Sequence, residues 1–269
     1  MATTDKIQLT AEKETLFIPL YGKALDYRAK HSILHDSTAN KIVEKVGIDF
    51  TKYKRAGGRV VAVRAKQYDE WTNDFIVQHK NAIVIHLGCG LDARITRIQP
   101  PPSITWFDVD YSEVISLRKQ FYPETDNYTM IASSILAPDW LEAIPNDRAT
   151  FIIAEGVFEY LSEEEVKTLL LRLTTHFVHG QIAFDVTNSS GGEAGDRNLK
   201  ESTGASIRWK VDDINEVDKL NSKLTRMEMV SLFKSVFVKQ LPVRFRIIFG
   251  LLTLFPKYKN GMRLLRYEF

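Results

Sequence analysis

Between Ala82 and Arg94 the chain reads AIVIHLGCGLDAR, an apolar run that breaks into two glycines and then an acidic–basic pair. Ile83, Val84, Ile85 and Leu87 have the β-branched, almost unbroken apolar character of a central parallel strand covered on both faces. Gly88 and Gly90 fall where such a strand turns sharply, and glycine there lets a ligand come close to the backbone. Gly88-x-Gly90-x-x-Ala93 satisfies a relaxed dinucleotide fingerprint, in which a helix N-terminus receives a pyrophosphate. The next strand segment, ITWFDVDYSEVISLRK, carries Asp108 and Asp110 near the roughly 20-residue offset at which a carboxylate meets ribose hydroxyls. Asp110 equally suits the positive end of a helix opening at Ser112. Glu155 completes the set, because it follows the strand Phe151–Ala154 and so stands at the crevice where open α/β sheets bind ligands. The shared chemistry is that of a nucleoside cofactor, and Glu155 has no obvious task in hydride transfer.

These residues require an alternating scaffold to position them. Strands are predicted at 82–87, 103–108, 127–132, 150–154 and 181–186, with helices at 92–99, 112–121 and 163–176. Ser162 and Glu165 form a capping box ahead of the last helix, whose Val166, Leu169, Leu170 and Leu173 repeat at helical spacing. Such βαβ alternation argues for a parallel sheet with right-handed crossovers. Before it, residues 1–80 read as helical, at 12–28, 39–46 and 61–78, and form an N-terminal cap; residues 81–269 form the cofactor-binding core, the whole being one unit. Residues 187–210 are small, polar and glycine-rich and are expected to be a mobile surface loop covering the pocket. Two further strands are predicted at 236–241 and 263–269, joined by the basic, apolar stretch 244–257, read as a lid or core helix with contact to a membrane or partner subunit as the alternative.

Composition narrows the function. The 269 residues carry a net charge of +2, too little for a nucleic-acid-binding surface. The cationic stretch Lys52–Lys66, with Lys54, Arg55, Arg59 and Arg64, reads mostly as a solvated face. The single cysteine, Cys89, allows no internal disulfide and no cysteine-based metal site, which suits a reducing cytoplasm; it reads as a packing residue. The N-terminal residues lack the plan of a signal peptide. The longest apolar stretch, 247–255, is far shorter than the ~20 residues that span a bilayer, so neither nucleic acid nor stable membrane insertion is expected.

HLGCGLDARITRI, WFDVDYSEVISLRK and AEGVFEYLSEEEVKTLLLRL, in that order, resemble the leucine carboxyl methyltransferase superfamily, and most closely its bacterial branch typified by tetracenomycin polyketide O-methyltransferases. KETLFIPLYGKALDYRAKHSILHD and the Arg64-x-x-x-x-Asp69 stretch extend the likeness from about residue 12 to 240. The resemblance implies an α/β fold of the class I methyltransferase, Rossmann-like kind, mostly parallel with an antiparallel C-terminal strand. It implies S-adenosyl-L-methionine as cofactor. Arg64 would pair with the methionine carboxylate, with Lys23 nearby, and Gly88 and Gly90 would line the cofactor through backbone. Asp110, or else Asp108, would bind the ribose, and Glu155 would face the cofactor. Ser133-Ser134-Ile135 stands where some members carry Asp-Leu, so Ser134 and Ile135 would hold the adenine without a charged contact.

The implied activity is O-methylation of a hydroxyl or carboxyl oxygen on a small molecule, polyketide-like or another secondary metabolite. The alternatives are methylation of a protein C-terminal carboxylate, a nicotinamide-dependent dehydrogenase, or a member that binds without catalysis. A carboxylate acceptor is already ionised and needs no base, whereas a phenol with pKa near ~10 is helped by one. His31, His35 and His86 are the histidines available for that role, but no catalytic base is assigned. Asp92 and Arg94 are expected to brace the loop, and Arg64 has Asp69 as a competing partner. Asp185 is divided between bracing and the substrate pocket, and Phe158 and Tyr160 between core and pocket. Phe17, Tyr21, Tyr27, Trp209 and Phe245 are expected to enclose an apolar or planar acceptor.

Overall fold

The glycine turn caps the middle of a seven-stranded sheet in the computed structural model, which describes residues 9, 11–53 and 58–269. Lys54, Arg55 and the first eight residues, read above for charge and for a leader, lie outside the described residues. The strands are β1 (Ile83–Leu87), β2 (Thr105–Asp110), β3 (Tyr128–Ala132), β4 (Thr150–Ala154), β5 (Gly180–Thr187), β6 (Thr225–Ser231) and β7 (Met262–Glu268). Their order is β3-β2-β1-β4-β5-β7-β6, and β7 alone runs opposite in direction to the other six. Every residue of β1, β4 and β5 is buried, which explains why those segments read as continuous apolar runs. The order reverses between β1 and β4, so Leu87 and Ala154 end side by side and open a crevice beyond their carboxyl ends.

Two layers cover the sheet. Val84, Trp106 and Phe151 face the N-terminal helices α1 (Phe17–Tyr27), α2 (Ser37–Lys45) and α3 (Gly58–Gln78). Phe75 of α3 stacks on Phe151 at 5.2 Å, so the cap lies directly on the sheet. Ile83, Ile85 and Ile152 face the opposite layer, where α6 (Glu163–His176) buries Val166, Leu169, Leu170 and Leu173 as its spacing predicts. Two short helices, α4 (Arg94–Ile98) and α5 (Ser112–Arg118), connect β1 to β2 and β2 to β3.

Two segments differ from expectation. Residues 187–210 are not a loop: Ser189–Thr203 forms helix α7. Asn188 caps it by accepting from the Gly191 amide, and Gly204 ends it in the left-handed region, at φ 77°. The glycines that suggested a loop serve close packing instead, since a Cβ on Gly191 would lie 2.3 Å from the Gly261 carbonyl oxygen. Residues 236–241 are not a strand: Val236–Gln240 is a 3-10 turn opened by the Ser235 hydroxyl and followed by Pro242. The true sixth strand, Thr225–Ser231, lies at the sheet edge with few buried side chains, so it lacks the apolar alternation that would mark it. After a short helix α8 (Ile214–Asp218) and that strand, the basic apolar stretch folds as α9 (Val243–Leu252) and α10 (Pro256–Lys259).

The capping box is realised in full, with the Ser162 hydroxyl accepting from the Glu165 amide and the Glu165 carboxylate from the Ser162 amide. Ser162→Ala should therefore lower unfolding stability by about 1 kcal/mol in a urea titration, with an unchanged m-value.

Candidate functional site

Gly88 sits at φ 59°, and a Cβ there would lie 2.5 Å from a methyl of Val157, so only glycine fits between the turn after β1 and the turn after β4. The Gly88 amide donates to the Val109 carbonyl at 2.8 Å, and the Gly90 amide donates to the Asp110 carboxylate at 2.8 Å. Asp110 also accepts from the Tyr111 amide at 2.8 Å. Burial outweighs these bonds and pushes its pKa up to about 6. Asp110 stands at the mouth of the crevice, where it lines a cavity of about 780 Å³.

Asp108 is placed differently. It lies two residues deeper, fully buried, and accepts from Arg118 Nε at 2.8 Å, Tyr128 Oη at 2.5 Å and Trp106 Nε1 at 2.9 Å. Arg118, itself fully buried, also donates to the carbonyls of Gly90 (3.1 Å) and Asp92 (2.8 Å). Asp108 is thus not among the residues that line the cavity; with Arg118 it braces the glycine turn from beneath. Nothing in the sequence around Arg118 distinguishes it from a surface arginine of a helix.

A buried network of alternating charge occupies the crevice. Glu155 accepts from Arg64 Nε at 3.0 Å and from Arg94 Nη2 at 2.5 Å. Arg64 also reaches Asp185 at 3.3 Å, and Asp185 accepts from Tyr68 Oη (3.0 Å) and the Gly156 amide (2.7 Å). Arg94 continues to Asp69 (2.8 Å) and Asp92 (3.2 Å), and Lys23 pairs with Asp92 at 2.9 Å. Asp69 belongs to Arg94 and Arg97, not to Arg64. Burial alone would raise the Glu155 pKa, but Lys23, Arg94 and Arg64 together hold it down at about 2. His86, buried and beside Arg94, falls to about 4 and is neutral. Among the described residues, no group of three His, Cys, Asp or Glu side chains is placed to hold a metal ion.

The cavity brings together Lys23, Arg64, Gly88, Gly90, Asp110, Ile135 and Glu155. Ser134 is not part of its lining: the Ser134 hydroxyl accepts from the Leu136 amide, and Ser133 takes the wall position. His31 and His35 are exposed on the cap and do not line it, whereas His86 does. Of the five aromatic residues expected around an acceptor, only Phe245 lines the cavity. Phe17 and Tyr21 pack against Phe50 inside the cap, Tyr27 is exposed, and Trp209 packs near Phe158 in the far core. Asp185 braces the turn at Gly156, and Cys89 is a buried packing residue.

Helices α1, α7 and α9 and the residues flanking them supply much of the remaining wall, with Leu16, Leu199, Ile207, Ile248 and Phe249 as its apolar part. Charged and polar side chains interrupt it, among them Lys13, Arg59, Glu165 and Arg208. Tyr160 lines the cavity, and so does Glu159, which sequence reasoning did not single out. Burial, reinforced by Asp185, pushes the Glu159 carboxyl up to about 7. Its backbone carbonyl accepts from the amides of Arg208 (2.8 Å) and Trp209 (3.3 Å), which fixes this turn to the chain following α7. Only its position four residues beyond Glu155 would have hinted at it.

Comparison with known proteins adds family to geometry. A sequence model of the leucine carboxyl methyltransferase family matches residues 17–174. The chain is 35% identical to the tetracenomycin polyketide synthesis O-methyltransferase TcmP of Streptomyces glaucescens, over 98% of this chain and 99% of that protein. It is 31% identical to the S-adenosyl-L-methionine-dependent methyltransferase dpfgK of Gibberella zeae, over 79% of this chain and 80% of the relative. A crystal structure from Thermobifida fusca, described as a candidate methyltransferase, superposes with a TM-score of 0.64 at 13% identity, covering 98% of this chain and 96% of the other, and shares the fold.

Removing one member of a buried pair leaves the other charge uncompensated, at a cost of about 3–5 kcal/mol. Arg118→Ala is expected to lower unfolding stability by that amount, read from urea denaturation followed by circular dichroism.

Proposed function

The chain belongs to the leucine carboxyl methyltransferase family and is an S-adenosyl-L-methionine-dependent O-methyltransferase, and on that premise we propose that it methylates a hydroxyl oxygen of an apolar small molecule. The observation that carries the acceptor class is Glu159, a carboxyl in the cavity wall that burial pushes up to about 7.

The charge network fits the cofactor on chemical grounds. A methionine tail is a zwitterion, and it matches a cluster in which Arg64 and Lys23 supply cations while Glu155 is a firm carboxylate. A dinucleotide pyrophosphate is purely anionic and would meet Glu155 and Asp92, which argues against a dehydrogenase. Arg64 and Lys23 would hold the tail carboxylate and Glu155 the ammonium group. Gly88 and Gly90 would line the cofactor through backbone, Asp110 would accept from the ribose hydroxyls, and Ile135 would flank the adenine. Ser134 has no place in this assignment, since its hydroxyl is engaged by the Leu136 amide and the Tyr111 side chain. When bound, S-adenosyl-L-methionine supplies an electrophilic methyl carbon. The cavity walls exclude water and align the acceptor, an effect that accounts for roughly 7–11 kcal/mol of such barriers.

Glu159 decides between acceptors. A carboxylate acceptor needs no base and would leave Glu159 without a task. A phenolic or enolic hydroxyl gains from a base whose pKa lies near the working pH, and Glu159 at about 7 is matched to that task. Tyr160 beside it can orient the acceptor oxygen.

Two measurements test this reading. Titration calorimetry with S-adenosylhomocysteine should register binding, while NAD should give none. Asp110→Ala should weaken that binding by about tenfold or more, the loss of hydrogen bonds to a charged group. The ionised Asp110 is the form that accepts from hydroxyls, so affinity should fall as the pH drops through about 6. In a panel of phenols and matched carboxylic acids, turnover should favour the phenols. Glu159→Gln should lower kcat by about 10² or more and abolish the rise in rate near pH 7, leaving S-adenosylhomocysteine affinity intact. Preferential methylation of the acids, with cofactor binding normal, would refute the hydroxyl reading alone.

A further inference from the structure

Helix α9 has apolar residues on two sides. Phe249 is buried and Phe245 and Leu252 are half-buried toward the core, where Phe233 packs on Phe249 at 5.0 Å. On the other side Val243, Ile247 and Leu251, spaced by four, are 64%, 57% and 55% exposed, with Ile248 beside them. Leu254 and Phe255, 72% and 56% exposed, extend the strip toward α10. A helix apolar on all sides is ordinarily buried, and a contiguous exposed apolar strip marks a contact surface.

The charge around the strip identifies the contact. Residues 229–267 contain eight Lys and Arg and no Asp or Glu, a formal +8 in a chain whose total is +2. Arg263 and Arg266 are buried in β7. The other six, Lys234, Lys239, Arg244, Arg246, Lys257 and Lys259, are exposed, and none forms a salt bridge among the described residues. Lys259 stands close enough to Lys234 to depress its ammonium below the ordinary lysine range.

We propose that the α9–α10 face seats the protein on the surface of an anionic phospholipid bilayer, the apolar strip entering the headgroup boundary and the unpaired cations meeting lipid phosphates. No described helix is long and apolar enough to cross a membrane, so the seat is interfacial. A second copy docked face to face would set six exposed cations against six, so the charge that suits an anionic lipid opposes a dimer through this face. Since Phe245, Ile248 and Phe249 also wall the cavity, an apolar acceptor dissolved in the bilayer would enter beside the seated helix.

Co-sedimentation of the whole protein with vesicles reads this without methyl donor or acceptor. Vesicles of mixed phosphatidylglycerol and phosphatidylcholine should carry the protein down, and pure phosphatidylcholine should not. Raising salt from about 0.1 M to about 0.5 M should weaken the partition by about tenfold or more. Ile247→Asp with Leu251→Asp, and separately Lys257→Glu with Lys259→Glu, should each lower it by at least about tenfold while circular dichroism and S-adenosylhomocysteine binding stay as in the wild type. Absence of sedimentation with the anionic vesicles, undiminished partition of both variants, or a homodimer that the two aspartates dissolve would overturn the proposal.

Discussion

The carboxylate of Glu155, gripped by two arginines from different parts of the chain, is the interaction on which the rest of the site depends. Arg64 arrives from cap helix α3 and Arg94 from the helix that follows the glycine turn, so one side chain ties cap, turn and fourth strand together. Taking these charges out of water is costly, and the network is tolerable because every member has a partner: Arg64 has Asp185, Arg94 has Asp69 and Asp92, and Asp92 has Lys23. Gly156 shows how closely the parts fit, since a Cβ at its φ of 66° would lie 3.0 Å from the Arg64 guanidinium. The cap is therefore not a lid laid on a finished domain. Its position over the crevice is set by the same ions that give the crevice its mixed charge.

That dependence explains which features were legible in the sequence. The apolar run of β1, the capping box of α6 and the glycine turn are local, and residue type and spacing suffice to read them. Asp108 and Asp110 show where locality ends. Both lie on one face of β2, two residues or roughly 6.5 Å apart along the strand, and only the last clears the sheet to reach the crevice. What claims Asp108 is Arg118, ten residues on, whose burial no pattern announces. The aromatic residues fail for a similar reason: Phe17 and Tyr21 do lie on the cap helix beside the cavity, but on its side facing Phe50. Leu16, Leu20 and Lys23 take the side facing the cavity.

The outer part of the cavity was the least legible. Helix α7 has no apolar stripe to declare it, because its glycines permit backbone contact with Gly261 in place of side-chain packing. β6 is an edge strand with exposed methionines at 227 and 229, and only pairing with β7 makes it a strand. Glu159 belongs to a single 3-10 turn, fastened from outside by the chain after α7. These elements are defined by distant partners, so their local composition carries little of their structure.

A division of labour follows from this distribution. The inner end of the site holds a charged cluster, and such a cluster must be internally balanced to exist in a buried crevice at all. Its members are thus few, closely coupled and placed at the ends of the central strands, where sequence patterns are strongest. The outer end is walled by apolar side chains interspersed with polar ones, and such walls can be assembled from any elements that reach the rim. The segments after β5 provide much of that wall, and they also carry the chain's excess of positive charge on their outward side. Part of the cavity wall and much of the exposed positive charge consequently reside in the same stretch, 189–262, while Glu159 and Tyr160 reach the wall from the turn after β4. The Glu155 network, built from Lys23, Arg64, Asp69, Asp92, Arg94 and Asp185, draws no member from that stretch.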